Sequence, residues 1–287
     1  MNNFKKIVIG TVQFGMDYGV SNQTGKTSLQ EAIKISEMAN SAGVNFYDTA
    51  PDYGESYSVM AEIIRSNPSA NVISKIPAIS KNGIDNVIDS IHHTVDLFGE
   101  NLYGLLFHRP DDVLTEGYQC VLSELSRMKD QGLIRKVGAS IYDARQLEVI
   151  HDYINLDLVQ LPFNAFDHRF KYCEFTNIND FEIHSRSTFL QGLLLMENEN
   201  IPFNLNEAKG PLDRLNKFSD QLGLGMYQLC LKWVMQQNWI NRVLIGVNST
   251  EQFQQLINSF DELNNFDELD LLSYKVDSQK IINPSMW

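Results

Sequence analysis

The sequence predicts a closed (β/α)8 barrel, a TIM barrel of the α/β class, and three observations carry that expectation. Short apolar, β-branched runs recur roughly every 25 to 30 residues over most of the 287-residue chain. Amphipathic helical patterns lie between them, an alternation that builds a parallel sheet with right-handed crossovers. The first strand–helix connection, "GTVQFGMDYGVSNQTGKT", is long and lacks the GxGxxG spacing of a dinucleotide-binding turn, which argues against a doubly wound sheet. Eight units in a chain of this length fit a barrel of about the usual size.

The expected strands are KIVIG (6–10), NFYDTA (45–50), NVISKI (71–76), LYGLLFH (102–108), IRKVGAS (134–140), LDLVQLP (156–162), FEIHSRS (181–187) and RVLIGV (242–247). Most are continuously apolar rather than alternating, as strands covered on both faces should be. The helix over 28–43 opens with the capping box Ser28-x-x-Glu31, stops at Gly43, and carries Leu29, Ala32, Ile33 and Ala39 on its apolar stripe. Residues 115–132 place Tyr118, Val121, Leu122, Leu125 and Met128 at helical spacing. Residues 249–260 do the same with Phe253, Leu256, Ile257 and Phe260 after Ser249-x-x-Gln252. His92 and His93 fall in a helical stretch, 83–99, as surface or packing residues. No linker or composition shift marks a second domain, so residues 1–287 are expected to form one. The stretch 165–180 reads as an exposed excursion and 261–287 as a C-terminal appendage.

A formal net charge of -13 repels polyanions and excludes nucleic acid as a partner class, while leaving room for a local basic pocket. Cys120, Cys173 and Cys230 lie far apart, without CxxC or metal-ligand spacing, and read as reduced thiols of a cytoplasmic protein. No apolar run approaches the roughly 18 residues of a membrane span. The first ten residues turn strand-like too soon for a signal peptide.

In a barrel, reactive groups belong at the C-terminal ends of strands and in the loops beyond. The stretch "NFYDTAPDYGES" (45–56) ends its strand near Asp48 and sets Tyr53 and Gly54 in the following turn. Lys75 closes the third strand and His108 the fourth. Each alone has an ordinary structural reading: a cap or turn former, turn packing, a solvated edge, a hydrogen-bonded imidazole. Together they make a proton-transfer set. A phenol with its ordinary pKa of about 10 suits a developing alkoxide. An ammonium at Lys75 would lower that pKa, Asp48 would hold Lys75 by ion pairing, and His108 would orient a carbonyl. No side chain donates hydride, so a nicotinamide cofactor and a small-molecule carbonyl substrate are implied. Two other readings stay open. One is a barrel lyase or aldolase with Lys75 as Schiff base, which the neighbouring Asp48 disfavours. The other is a regulatory subunit that binds the cofactor without turnover.

These residues resemble the aldo-keto reductases over nearly the whole chain. "FYDTAPDYGES" is similar to that family's signature around its catalytic Asp and Tyr, "SKIP" to its lysine segment and "LLFHRPDD" to its histidine segment. The resemblance implies Tyr53 as proton donor, Asp48 and Lys75 as its tuning pair and His108 as the orienting residue. It places Gly10, Thr11 and Val12 of "GTVQFG" against the nicotinamide end, and Ser140 and Gln160 on the carboxamide. Ile141 stands where the family has Asn, and Arg186 where a nicotinamide-stacking Tyr is common. Gly246, Val247, Asn248 and Ser249 would present backbone amides to the adenosine phosphates. Gly246 and Gln252 occupy positions where a Lys or Arg often grips a 2′-phosphate. The family favours NADP, with NAD as the alternative. "FGMDYGVSN" and "RSTFLQGLLL" resemble bacterial members linked to sugar and surface-polysaccharide metabolism, which implies a carbohydrate-derived carbonyl.

Overall fold

Eight strands pair parallel in sequence order and close into a barrel: β1 (Ile7–Gly10), β2 (Phe46–Asp48), β3 (Asn71–Ile76), β4 (Leu102–Phe107), β5 (Lys136–Ser140), β6 (Leu158–Pro162), β7 (Glu182–Arg186) and β8 (Arg242–Gly246). The structure is a computed structural model and describes residues 3–173, 181–263 and 266–287. Every strand lies within its expected range. Val8, Phe46, Ile73, Leu106 and Leu158 form an apolar cluster of their own, separate from the main core. Their neighbours Ile7, Ile9, Tyr47, Val72, Leu105 and Val159 belong to that main core, shared with the helices. Alternate residues thus fill the barrel and face the helices, and both faces of each strand are apolar.

The helices outside are α1 (Leu29–Ser41), α2 (Ser56–Ser66), α3 (Ile84–Phe98), α4 (Tyr118–Asp130), α5 (Ala144–His151), α6 (Lys209–Leu222), α7 (Met226–Met235) and α8 (Thr250–Leu263). Ser28 caps α1, its hydroxyl accepting from the Glu31 N–H at 3.2 Å. The buried stripe of α1 differs from the expected one: it is Ala32, Ile35, Ser36 and Ala39, whereas Leu29 is 43% exposed and Ile33 half-buried. The spacing i, i+3, i+4, i+7 explains the difference, because Ile33 lies about 100° round the helix from Ala32.

Among the described residues, no helix follows β6. Residues 163–170 fill that place as a packed coil rather than the expected exposed excursion, and Tyr172 beyond them is exposed as expected. Phe163, Phe166, His168 and Phe170 are buried, and Phe163 stacks on Trp233 with ring centroids 5.9 Å apart. The remainder of that expected excursion, 174–180, lies outside the described residues. The C-terminal segment covers the coil: Val276 N–H donates to the Phe166 carbonyl at 2.9 Å, and Leu271, Ile281 and Ile282 are buried. Lys232 of α7 ties the same segment down through the carbonyls of Leu263 and Phe266. No helix among the described residues is long and apolar enough to cross a membrane.

Candidate active site

The C-terminal ends of all eight strands meet at one rim. Gly10, Asp48, Ser140, Arg186 and Gly246 end β1, β2, β5, β7 and β8; Lys75 is the penultimate residue of β3 and Gln160 the middle one of β6; His108 follows β4 directly. Gly10 pairs in register with both Asp48 and Gly246, and Ser140 with Gln160. All of these except Lys75 line a single cavity of about 1270 Å³, together with Tyr53, Thr11 and Val12. Lys75 is buried behind Asp48.

Local chemistry explains why Tyr53 is followed by glycine. The turn that carries it packs backbone to backbone against a single helical turn, Val12–Gly15. A Cβ on Gly15 would sit 1.7 Å from the Tyr53 carbonyl oxygen, and one on Gly54 would sit 2.4 Å from the Gly15 carbonyl oxygen. Gly54 also has φ +55, a conformation that costs other residues strain. The Glu55 N–H then donates to the Gly15 carbonyl at 3.1 Å. Beneath this, Thr11 donates both its N–H and its hydroxyl to the Asp48 carbonyl, each at 2.9 Å. The Ser56 hydroxyl joins those of Thr11 and Thr49 at 2.6 and 2.8 Å. The hydroxyl of Thr11 is therefore committed to holding β1, β2 and α2 together.

The rim's charges are buried and paired. Lys75 Nζ donates to Asp48 Oδ2 and, at 3.4 Å, to the Thr49 carbonyl. Gln160 Nε2 donates to the same carboxylate oxygen at 2.8 Å. Burial pushes the Lys75 pKa down, with Asp48 opposing. The Tyr53 phenol is pushed well above its ordinary range by burial first, then by the Asp48 carboxylate and by Tyr18, with Arg186 opposing. This is the reverse of the lowering expected from Lys75. The ion pair with Asp48 cancels most of that ammonium's field, and desolvation of the phenolate dominates.

The His108 ring stands edge-on to Tyr53, centroids 6.2 Å apart, with Nδ1 4.0 Å from an Asp52 carboxylate oxygen. Burial and the Lys75 charge lower its pKa to about 4, so the imidazole is neutral at pH 7. Arg186 lays its guanidinium over the Tyr142 ring, 4.2 Å from the centroid, and donates to the Ile141 carbonyl at 3.2 Å. Its Nε is buried and has no hydrogen-bond partner among the described residues. Ile141 itself turns into the core and is fully buried.

The cavity extends past β8 to the start of α8, where Gly246, Val247, Asn248 and Gln252 line it. Ser249 does not; its hydroxyl accepts from the Gln252 N–H at 3.3 Å. Gln252 Oε1 takes the Asn248 N–H at 2.7 Å, and Glu31 Oε1 takes the Thr250 N–H and hydroxyl at 2.7 and 2.8 Å. One amide of the expected phosphate seat, that of Asn248, and the neighbouring Thr250 amide thus already hold side-chain acceptors.

Sequence reading did not single out Gln13, Tyr18, Tyr142, Phe189, Tyr227 or Glu251, which also line the cavity. One signal for part of this wall was present. The segments "FGMDYGVSN" and "RSTFLQGLLL" meet across the mouth, where Val20 N–H donates to the Gln191 carbonyl at 3.1 Å and Gln191 Nε2 to the Tyr18 hydroxyl at 2.7 Å. A second hollow of about 440 Å³ shares His108 and Tyr142 with the main cavity and adds Ser80, Arg109, Asp111 and Gln146.

A sequence profile described as the aldo/keto reductase family matches residues 6–272, the whole barrel and part of the segment behind it. The chain belongs to the aldo/keto reductase family. Its members are NAD(P)-dependent oxidoreductases acting on carbonyl and alcohol groups, and this chain is one. No curated protein matches it. Among solved structures it is similar to aldo-keto reductase AKR11C1 from Bacillus halodurans in its holo form, at 13% identity and TM-score 0.74, over 98% of this chain and 95% of that one. It is also similar to the glycerol dehydrogenase AKR11B4 from Gluconobacter oxydans, at 19% identity and TM-score 0.69, over 95% and 93% of the two chains. At these identities the likeness speaks to the fold alone.

The reductase's cavity fits a nicotinamide nucleotide in size and in donor set. With Nε2 fixed on Asp48, Gln160 keeps its Oε1 as an acceptor for an amide NH2, beside the hydroxyl of Ser140.

Proposed function

We propose that this reductase acts in the cytoplasm on a hydroxylated, sugar-derived aldehyde or ketone, or runs the reverse oxidation, with Tyr53 as general acid and base. The observation that supports it most is the Tyr53 phenol, kept protonated by burial and by Asp48, opening on the same cavity as a neutral His108. In reduction, Tyr53 gives its proton to the carbonyl oxygen as negative charge develops there. His108 donates a hydrogen bond to that oxygen and fixes its orientation. Lys75, Asp48 and Gln160 hold the floor beneath Tyr53 rigid, so that no reorganisation is needed when charge moves.

The bound nicotinamide supplies or accepts the hydride. Ser140 and Gln160 would hold its carboxamide, with Gly10, Thr11 and Val12 as the wall beside it and Arg186 facing the ring. Gly246, Val247, Asn248 and Gln252 would receive the phosphates and ribose of the far half, with Ser249 capping α8 behind them. NADP is the carrier that resemblance favours, and NAD delivers the same hydride. The second hollow, rich in Ser, Arg, Asp and Gln, suits a substrate with several hydroxyls, the class to which glycerol belongs. A Schiff-base role for Lys75 is disfavoured, because its nitrogen is buried behind Asp48 and does not line the cavity.

The test is a panel of aldehydes and keto-sugars with NADH and NADPH, run on the natural chain and on Tyr53→Phe. Loss of about 10²- to 10⁴-fold in kcat, with nucleotide binding retained, is expected for the variant. Unchanged turnover would remove Tyr53 from the mechanism, and a borohydride-trapped adduct would revive the lyase reading.

A further inference from the structure

The cavity ends in carboxylates where a phosphorylated carrier would need cations. Among the described residues, its lining holds one arginine, Arg186, and no lysine. Arg186 sits at the reactive end, on Tyr142. At the α8 end the lining instead holds Glu251 and Glu262, among Gln228, Gln252, Gln254, Gln255 and Asn258. We infer that this reductase selects the unphosphorylated carrier, NAD(H), over NADP(H), through Glu251 and through a first turn of α8 that carries an acidic and no basic side chain. The inference rests on the reading that the cavity holds a nicotinamide nucleotide.

Three features of the wall support it. Gly246 offers no side chain, and a Cβ there would lie 2.7 Å from Gln13 Nε2, so the Gln13 amide occupies the space a longer side chain would need. Gln252 turns its Oε1 back onto the Asn248 N–H, neutral and engaged within the loop. The start of α8 already holds an anion: Glu31 bonds the N–H and hydroxyl of Thr250, and those bonds hold its carboxyl below the usual range. Two cations beyond the lining, Lys34 and Lys26, are exposed and stand beside carboxylates. Lys34 stands 4.0 Å from the second Glu31 oxygen, and Lys26 pairs with Glu55.

A 2′-phosphate brings a charge of about −1.5 to −2 at pH 7. Here it would meet the Glu251 carboxylate and, among the described residues lining this end, no lysine or arginine. A 2′-hydroxyl, by contrast, donates to a carboxylate and needs no counter-charge, the same division that separates the two carriers in dinucleotide-binding folds.

Isothermal titration of the intact protein with NADH, NADPH, ADP-ribose and 2′-phospho-ADP-ribose tests this without turnover. At low ionic strength NADH should bind at least about 30-fold more tightly than NADPH, and the ADP-ribose pair should show the same ratio. Raising salt from about 20 to about 300 mM should narrow that ratio, because screening weakens repulsion. Glu251→Lys combined with Gln252→Arg should lower it about tenfold or more. NADPH binding as tightly as NADH at low salt would overturn the inference while leaving the proposed activity intact. A ratio indifferent to both salt and the double variant would overturn it equally. Failure of every nucleotide to bind would overturn the parent reading itself.

Discussion

At the β2–β4 rim the charged groups are buried and locked to one another, whereas at the α8 end they are more exposed and satisfied by neighbours that could let go. Asp48 is held by Lys75 and Gln160 with almost no solvent contact. The bond of Glu31 to Thr250 is only part-buried, and that of Gln252 to Asn248 is made at the surface. Exposed polar contacts exchange with water at little cost, while a buried ion cannot lose its partner without a large penalty. On the proposed function, the rim is preorganised for chemistry, and the far end is the part that can reshape around a ligand.

The strongest way to break that contrast is to remove one carboxylate from each end. Asp48→Ala strands the Lys75 ammonium with only the Thr49 carbonyl, and should cost about 3–5 kcal/mol in chemical denaturation. Glu31→Ala removes a part-buried acceptor from the first turn of α8 and should cost no more than about 1 kcal/mol. Equal losses would show that the two ends do not differ in the way their burial implies.

A pH titration of stability sharpens the same contrast. The His108 imidazole takes a proton near pH 6.5 when unfolded but only near 4 in the folded protein. Between those values the unfolded state binds more protons, so stability falls as pH drops through that window. Allowing for partial exposure, the loss traceable to His108 is on the order of 2 kcal/mol. His168 and His184, also lowered by burial, add to the slope. Glu31, held below the usual carboxylate range, contributes stability that persists above it and disappears only as pH falls through its folded value. His108→Asn should make the profile less steep between about pH 6.5 and 4, leaving the His168 and His184 contributions and the more acidic part unchanged. A profile identical to that of the natural chain would mean the folded imidazole titrates normally.

The rim was legible in the sequence because its residues sit at fixed offsets from apolar runs. Once the runs around Asp48, Lys75 and His108 were read as adjacent parallel strands, strand polarity placed all three at one end. The Tyr53–Gly54 turn could be noticed in sequence, but its reason, the backbone contact with Gly15, is a meeting of segments about 40 residues apart. The sign of the Tyr53 shift was also out of reach. It depends on how far one ion pair cancels itself and on how deeply the phenol is buried, neither of which spacing reveals. The far wall was least legible. Tyr18, Gln191 and Tyr227 come from loops and a helix start, and Ser187, Leu190 and Gln191 adopt left-handed backbone that no residue type there announces. The stripe error on α1 was small, one step round a helix, and the coil at 163–170 was misread because its cover comes from the far C-terminus.

The smallest expected effect probes Arg186, the one arginine or lysine among the described residues that line the cavity. Arg186 opposes the upward pressure that burial, Asp48 and Tyr18 put on the Tyr53 phenol. If Tyr53 is the base as proposed, alcohol oxidation needs its phenolate, so the rate should rise by about a decade per pH unit while the phenol stays largely protonated. Removing the guanidinium charge in Arg186→Met drives the phenol higher still, and the oxidative rate should fall about tenfold at every pH below 10. The slope should not change, because the same group is titrating. Arg186→Lys keeps the charge while losing the flat stack on Tyr142, and should recover most of that loss if the field is what matters. If Lys fails as badly as Met, the guanidinium acts by stacking and shape, and the reactive end, like the far end, selects its ligand through contacts rather than through the phenol's acidity.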